Sequence, residues 1–480
     1  MRSKKTIFLL FLLHSCLRMS EEEQKENLIP MPSMDWTAQN SMQTSFFSEG
    51  RWPKELWWEV FDSAVLNQMM REAIANNPNL HSVEQKILRA KERATVIKAT
   101  LYPLVNFNAD GLWQMVSSHG IQRAYNPDFP KKVQFLNMTL DFSYEFDFWD
   151  KYRNLYHSAL SLAFAEQAEY DQALLILSAT LSRTYFALRA NLVKRQIYQD
   201  LFSVRRRLLL LNSLRMDAAI DDLRIVLERR EAAEQAEQWI YAIEDEIAVD
   251  RHLLNILMGK GPDEPIETEY AFPELPPALV IPETLSLDLI SRRPDLAAQL
   301  WRLESLAQEV GSARAHFFPN INLGSFLGLS SILYNALFKP SSYEQGIEPS
   351  IGLPVYPIWD IQANLDAKRA EYQAAVFAYN DMILKSAQDV VDSLVFARAI
   401  YGEKEQQEAI VQQASCRLVL AEDRVTSGLD NALEMLHWKE ELLLKQLDDI
   451  NLAYNRYVAA ISLIRSLGGG YNSKEALCES

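Results

Sequence analysis

Four side chains late in the chain have the types and spacing to act together. Asp430, Glu434, His437 and Glu441 step by 4, 3 and 4, so a helix would carry them on one face. Three carboxylates and an imidazole in such a stripe do electrostatic work, attracting cations and repelling anions. On an arbitrary helix the same stripe is a solvated face. No catalytic motif accompanies it. The 7 histidines show no HExxH or paired spacing, and there is neither a glycine-rich phosphate loop nor a G-x-S-x-G elbow. Cys416 and Cys478 fall in a helical stretch and a polar tail, which gives no disulfide framework and no metal spacing. The expectation is a protein that is not an enzyme, with no cofactor and no metal.

The remaining cysteine belongs to the N-terminus, which reads as an address. "MRSKK" is a basic start, "TIFLLFLL" an apolar run, and Leu13-His14-Ser15-Cys16 closes it. The run is too short to span a bilayer as a helix, which takes about 20 residues. Those four closing residues resemble the bacterial lipobox, whose cysteine is acylated and becomes the first mature residue. Each buried methylene of such a chain adds about 0.8 kcal/mol of membrane affinity. An ordinary cleaved signal with an incidental cysteine is the alternative, and either way the protein is exported.

With 480 residues, 48% of them apolar, the chain can bury a large core. Its formal net charge of −16 argues against nucleic acid, because phosphate neutralisation needs clustered Lys and Arg. The run Arg205 to Arg207 reads as a solvated helix face.

The elements that must position these residues occur twice. "LYPLVNF" at Leu101 is matched by "FFPNINL" at Phe317, "NNPNL" around Pro78 by "RRPDL" around Pro294, and "FWDKYRN" by "IWDIQAN". Ordered matches at a nearly constant offset mark a duplication too large for a solenoid repeat. The halves are residues 52–262 and 284–471, joined by a Pro-rich connection over 263–283. A signal over 1–15 and a polar leader over 16–51 precede them, and a tail over 472–480 follows.

Each half predicts a very long helical hairpin. Neither Gly nor Pro occurs between Pro130 and Gly259, and no proline follows Pro357. Leu429, Leu436, Leu443, Ile450, Tyr457 and Ile464 form a heptad row that specifies packing against other helices. "SGLDNAL" around Gly428 supplies a turn, with Asp430 as the predicted N-cap. "MDAAIDDL" holds the equivalent place in the first half, with Ala219 where the second has glycine, so its turn signal is weaker.

Each half also predicts a β-hairpin. Leu136, Met138, Leu140, Phe142, Tyr144 and Phe146 alternate with Asn137, Thr139, Asp141, Ser143, Glu145 and Asp147, the pattern of a strand between an apolar medium and water. A soluble half-buried sheet alternates in the same way. Export, strands of about ten residues and repetition in both halves favour an outer-membrane strand. In the second half, Ile321, Leu323 and Leu327 alternate with polar positions, and "SIGLPVYPIWD" is the predicted return. Four strands cannot close a transmembrane barrel, because an open edge leaves backbone groups unpaired in lipid. Several chains must share one.

"WWEVFDSAVLNQMMREAIANNPNL", "RRPDLAAQLWRLESLAQEVGSARAHFFPNINL", "SGLDNALEML" and "SLGGGY" together resemble the outer-membrane efflux proteins, the TolC-like factors of tripartite pumps, over nearly everything from Trp52 to Tyr471. The lipobox suits the lipoprotein branch. The resemblance implies a mainly α fold with a transmembrane β-barrel. It implies a homotrimer in which each chain gives four strands to a shared barrel and its helices to a periplasmic α-barrel. The implied site is the cell outer membrane, and the implied role is a passive conduit for exported small molecules or ions, opened by a periplasmic adaptor and an inner-membrane transporter.

The family pattern places two aspartates six and nine positions after the tip glycine, ringing the periplasmic aperture. Those positions here are Glu434, which keeps an acid, and His437, which departs. The expectation is that Asp430, Glu434 and His437 line the pore aperture, and that His437 gives it a pH response in the range where histidine titrates. A periplasmic adaptor of the same pumps, or a secreted helical scaffold, are the competing readings. An adaptor would have one hairpin per chain and no aromatic-faced strands.

Overall fold

The computed structural model describes residues 28–266, 279–282 and 285–472, so Cys16 and Cys478 lie outside the described residues. In chain order the leader contains α1 (Asp35–Met42) and β1 (Phe47–Gly50), and the first half contains α2 (Ala64–Asn76), α3 (Pro78–Ala99), β2 (Leu104–Met115), α4 (Ile121–Tyr125), β3 (Lys132–Phe146), α5 (Lys151–Asp217) and α6 (Leu223–Leu257). The connection holds β4 (Leu279–Pro282), and the second half contains α7 (Leu285–Arg292), α8 (Pro294–Ala315), β5 (Asn320–Ser331), β6 (Tyr343–Gly352), α9 (Trp359–Thr426) and α10 (Ala432–Ser466).

The duplication is visible element by element. Helices α3 and α8 have 22 residues each and start on Pro78 and Pro294, where a missing N–H costs nothing. Strands β2 and β5 have 12 residues each. The long helices α5 and α9 run for 67 and 68 residues, and α6 and α10 for 35 each.

Two compact units result. One takes the chain up to Gln85, Gln167–Ala298 and everything from Ala378; the other takes Lys86–Glu166 and Gln299–Phe377. In the first, a 3-10 turn over Trp57–Phe61 sets Phe61 edge-on to Phe186 at 5.0 Å, and Phe186 stacks on Tyr457 at 4.0 Å. Each such side chain contributes about 1.5–3 kcal/mol on burial. Ser63 caps α2 by accepting the Leu66 N–H, and its hydroxyl meets that of buried Tyr185 at 2.8 Å.

The leader is more than polar spacer. Strand β1 pairs in parallel with β4, Phe47 opposite Leu279, and Met34, Phe47 and Ile281 join the core. At the start of α8, Arg293 donates to both oxygens of Asp295, to Asp389 at 3.3 Å, and to the Ser466 carbonyl at 3.2 Å. A guanidinium at the end of α10 suits the negative end of that helix. Gly468 follows at φ +91, where a Cβ would sit 1.8 Å from the Arg292 carbonyl oxygen. Only glycine fits there.

Of the predicted heptad row, Leu436, Leu443 and Tyr457 are buried. Leu429 is not part of it: α10 begins at Ala432, and Leu429 is exposed in the preceding turn.

The second unit is built on an antiparallel sheet of order β2-β3-β5-β6. The repeated aromatic-Pro step meets the repeated Trp-Asp step there: Trp149 stacks on Phe318 at 4.6 Å and donates its Nε1–H to the Pro319 carbonyl. The return strand of the second half lies earlier than expected. It is β6, ending at Gly352, and most of "SIGLPVYPIWD" follows it. Pro349 interrupts its alternation, and a strand tolerates proline because β6 is an edge. No helix among the described residues is long and apolar enough to cross a membrane.

Candidate conduit wall and gate

Register gives the sheet two chemically different faces. Phe107 lies opposite Leu140, which lies opposite Leu327; Val105 lies opposite Phe142; Phe146 lies opposite Ile321, which lies opposite Ile351. Many of these side chains are exposed, including Val105, Phe107, Leu140, Leu327 and Ile351. The alternate positions carry Asn106, Asn108, Asp110, Asp141, Glu145, Glu344 and Glu348. Asp141 accepts from Asn108 and Thr139 across and along this polar face. Phe135, opposite Leu112, and Phe326 are aromatic exceptions on it, and the Phe326 ring covers Gly346 on the neighbouring strand. Strands β2 and β6 each have one unpaired edge.

The first unit carries the two helix-hairpin turns, and they are built alike. In the first, Arg215 grips Asp221 through two hydrogen bonds of 2.8 and 3.0 Å, and Asp222 caps α6 through the Ile225 N–H. In the second, Arg424 donates to Asp430 at 3.2 Å, and Asn431 caps α10 through the N–H groups of Leu433 and Glu434. Ala219 and Gly428 occupy equivalent left-handed positions at φ +60 and +73. The first turn therefore forms without glycine, held by its Arg–Asp clasp. That clasp also holds the Asp221 carboxyl below the usual carboxylate range.

Asp430 is not the N-cap the sequence predicts; Asn431 is, one residue later. Asp430 instead accepts the Asn431 N–H and pairs with Arg424, and these two contacts, in that order, lower its pKa. Of the predicted stripe, Glu434 and His437 are exposed on the first turns of α10. Glu441 is engaged, accepting from Arg417 at 2.9 Å, while Arg417 lies 4.9 Å from the Trp438 ring.

Sequence reasoning missed Glu440. It is buried on α10, where Arg205 donates to it at 2.7 Å and Arg229 approaches to 3.6 Å. Arg205 also donates to the Ala232 carbonyl and lies 5.1 Å from the Trp239 ring. The reading of Arg205 to Arg207 as a solvated face holds for Arg206 and Arg207 and fails for Arg205, which is buried in this cluster. The available signal was Glu440 four residues from Leu436 and three from Leu443, a carboxylate inside an apolar row.

The pattern of the outer membrane efflux protein family matches residues 69–260 and 285–469. The multidrug resistance outer membrane protein MdtQ of Escherichia coli is 24% identical over 471 residues, 96% of this chain and 97% of that protein. SilC of Salmonella typhimurium, named as an outer membrane lipoprotein, is 24% identical over 466 residues, 97% of this chain and 98% of its own. Among solved structures, the outer membrane protein VceC of Vibrio cholerae superposes with a TM-score of 0.78 at 27% identity, over 88% of this chain and 100% of that one. The family match covers both halves, which neither an adaptor with one hairpin nor a helical scaffold would give. The chain belongs to the outer membrane efflux protein family, and it is an outer-membrane channel that extends into the periplasm, a passive conduit and not an enzyme.

Proposed function

We propose that three copies of the chain pool their sheets into one closed barrel, with the apolar face in lipid and the carboxylate-bearing face lining the lumen. The observation that carries this is the four-stranded sheet itself, apolar on one face, polar on the other and open at both edges. Exposed amides at such edges are costly in lipid, and pairing β6 of one copy with β2 of the next removes them. A heat-modifiable trimer on gels, with the strand regions protected from protease in outer-membrane vesicles, is the expected result. A mature chain that is monomeric and soluble without detergent would overturn the proposal.

The family supplies the outer-membrane part of tripartite efflux pumps, so the conduit takes its cargo from a periplasmic adaptor and an inner-membrane transporter. The name of MdtQ points to drug-like small molecules. A lumen carrying Asp110, Glu344 and Glu348 favours cationic ones.

Glu434 rings the periplasmic aperture, with Asp430 behind it and His437 one turn further along α10. Support comes from its exposure on the first turn after the hairpin, on the side of α10 away from buried Leu436 and Glu440. Glu434→Ala is expected to raise single-channel conductance and weaken cation preference. Unchanged recordings would remove Glu434 from the gate. Cys16 carries acyl chains in the same proposal, and the intact mass of the mature chain checks it. A mass without the added lipid refutes that part alone.

A further inference from the structure

The loops joining β2 to β3 and β5 to β6 lie at one end of the sheet, because Met115 pairs with Lys132 and Leu329 with Tyr343. The helices α3, α5, α8 and α9 join the strands at the other end. Both loops are folded on their own hydrogen bonds. The Val116 N–H donates to the Lys131 carbonyl at 2.8 Å, and the Ser342 hydroxyl donates to the Ala336 carbonyl at 2.8 Å. Buried Val116 and Leu337 anchor them. Loops so ordered still hold large apolar side chains outward: Tyr125 is 87% exposed, Phe338 78% and Tyr334 74%, with Ile121 and Ile332 close behind.

Their charge runs against the rest of the molecule. Residues 116–132 and 332–342 carry Arg123, Lys131, Lys132 and Lys339 against one acid, Asp128, in a chain with 48 basic and 64 acidic residues. Arg123 donates to the Pro127 carbonyl, and among the described residues none of the three lysines has a carboxylate partner. Lys132 falls on the same side of β3 as Leu136, Met138 and Leu140, so it stands at the rim of the apolar face. Beside it are Met115 and Trp113, both exposed. A lysine there lays its methylenes along apolar surface and lifts its ammonium to the polar layer.

We infer that this end of the sheet docks a phosphorylated, acylated lipid of the membrane's outer leaflet. Ammonium and guanidinium groups meet its phosphate esters, while the loop apolar side chains and the rim of the sheet meet its acyl chains. A protein partner would not require a cation, Lys132, at the rim of the face already assigned to lipid. The inference rests on that assignment.

The test uses detergent-solubilised full-length protein with three probes: lipid A bearing both phosphates, dephosphorylated lipid A, and phosphatidylethanolamine. Bound lipid is counted by native mass spectrometry, and affinity is read by titration. The bisphosphorylated probe is expected to bind on the order of 100-fold more tightly than its dephosphorylated form, from three to four cations acting together. The combined change Arg123→Gln, Lys131→Gln, Lys132→Gln and Lys339→Gln should abolish that preference and leave conductance in planar bilayers unaltered. Should this variant fail to form channels, Lys132→Arg must keep the preference and Lys132→Gln must reduce it. Equal binding of the two lipid A forms overturns the inference. So does an unaffected variant, or displacement of the lipid by millimolar inorganic phosphate, which would mark a free-phosphate site. Wild-type protein that forms no channels at all would count against the conduit reading instead.

Discussion

Glu440→Ala is expected to cost the protein about 3–5 kcal/mol, because it leaves buried Arg205 without its carboxylate. The second guanidinium, Arg229, loses the same partner. The Ala232 carbonyl and the Trp239 ring still face Arg205, which places the expected loss toward the lower end of that range. Thermal unfolding of the detergent-solubilised protein measures it. The pair also fastens α10 to α5, one helix from each hairpin, so the same variant should raise channel open time. Replacing both partners, Arg205→Met with Glu440→Leu, should recover most of the stability, since two matched apolar side chains need no mutual charge. A single Glu440→Ala variant as stable as the parent would show that the cluster does not hold the hairpins together.

Leu140→Arg is expected to block assembly in the outer membrane. Leu140 lies between Phe107 and Leu327 in the middle of the apolar face. An arginine near the bilayer midplane of a barrel costs about 2–4 kcal/mol in each chain. The control is Asn106→Arg, one residue from Phe107 on the polar face. That variant should assemble and shift ion preference toward anions. Quantifying trimer in the outer-membrane fraction separates the two. Equal yields would show that the two faces do not divide lipid from water.

Much of this architecture was legible because it rests on long, regular signals. Stretches free of Gly and Pro became α5 and α9, and the strict alternation around Leu140 became β3. What stayed hidden depends on distant partners. Residue 440 reads as a surface acid until Arg205, on another hairpin, is known to face it. Strand β6 lies earlier than the sequence predicts because Gln345 and Pro349 break its apolar side, and within one chain Pro349 sits on an edge strand. Ala219 masked the first turn because its left-handed backbone is stabilised by Arg215 and Asp221 rather than by the residue itself. Of the proposed gate, the sequence could place Glu434 and His437 on one face, but not show that Asp430 is tied back to Arg424.

The short parallel pair of β1 and β4 imposes an order on biogenesis. Phe47 leaves the export machinery early, yet its partner Leu279 arrives only after the entire first half has been translocated. Closing so long a loop is slow, and until it closes Phe47 has no partner strand to bury it. A product truncated before Leu279 can never complete this sheet, and it keeps the edge of β1 unpaired.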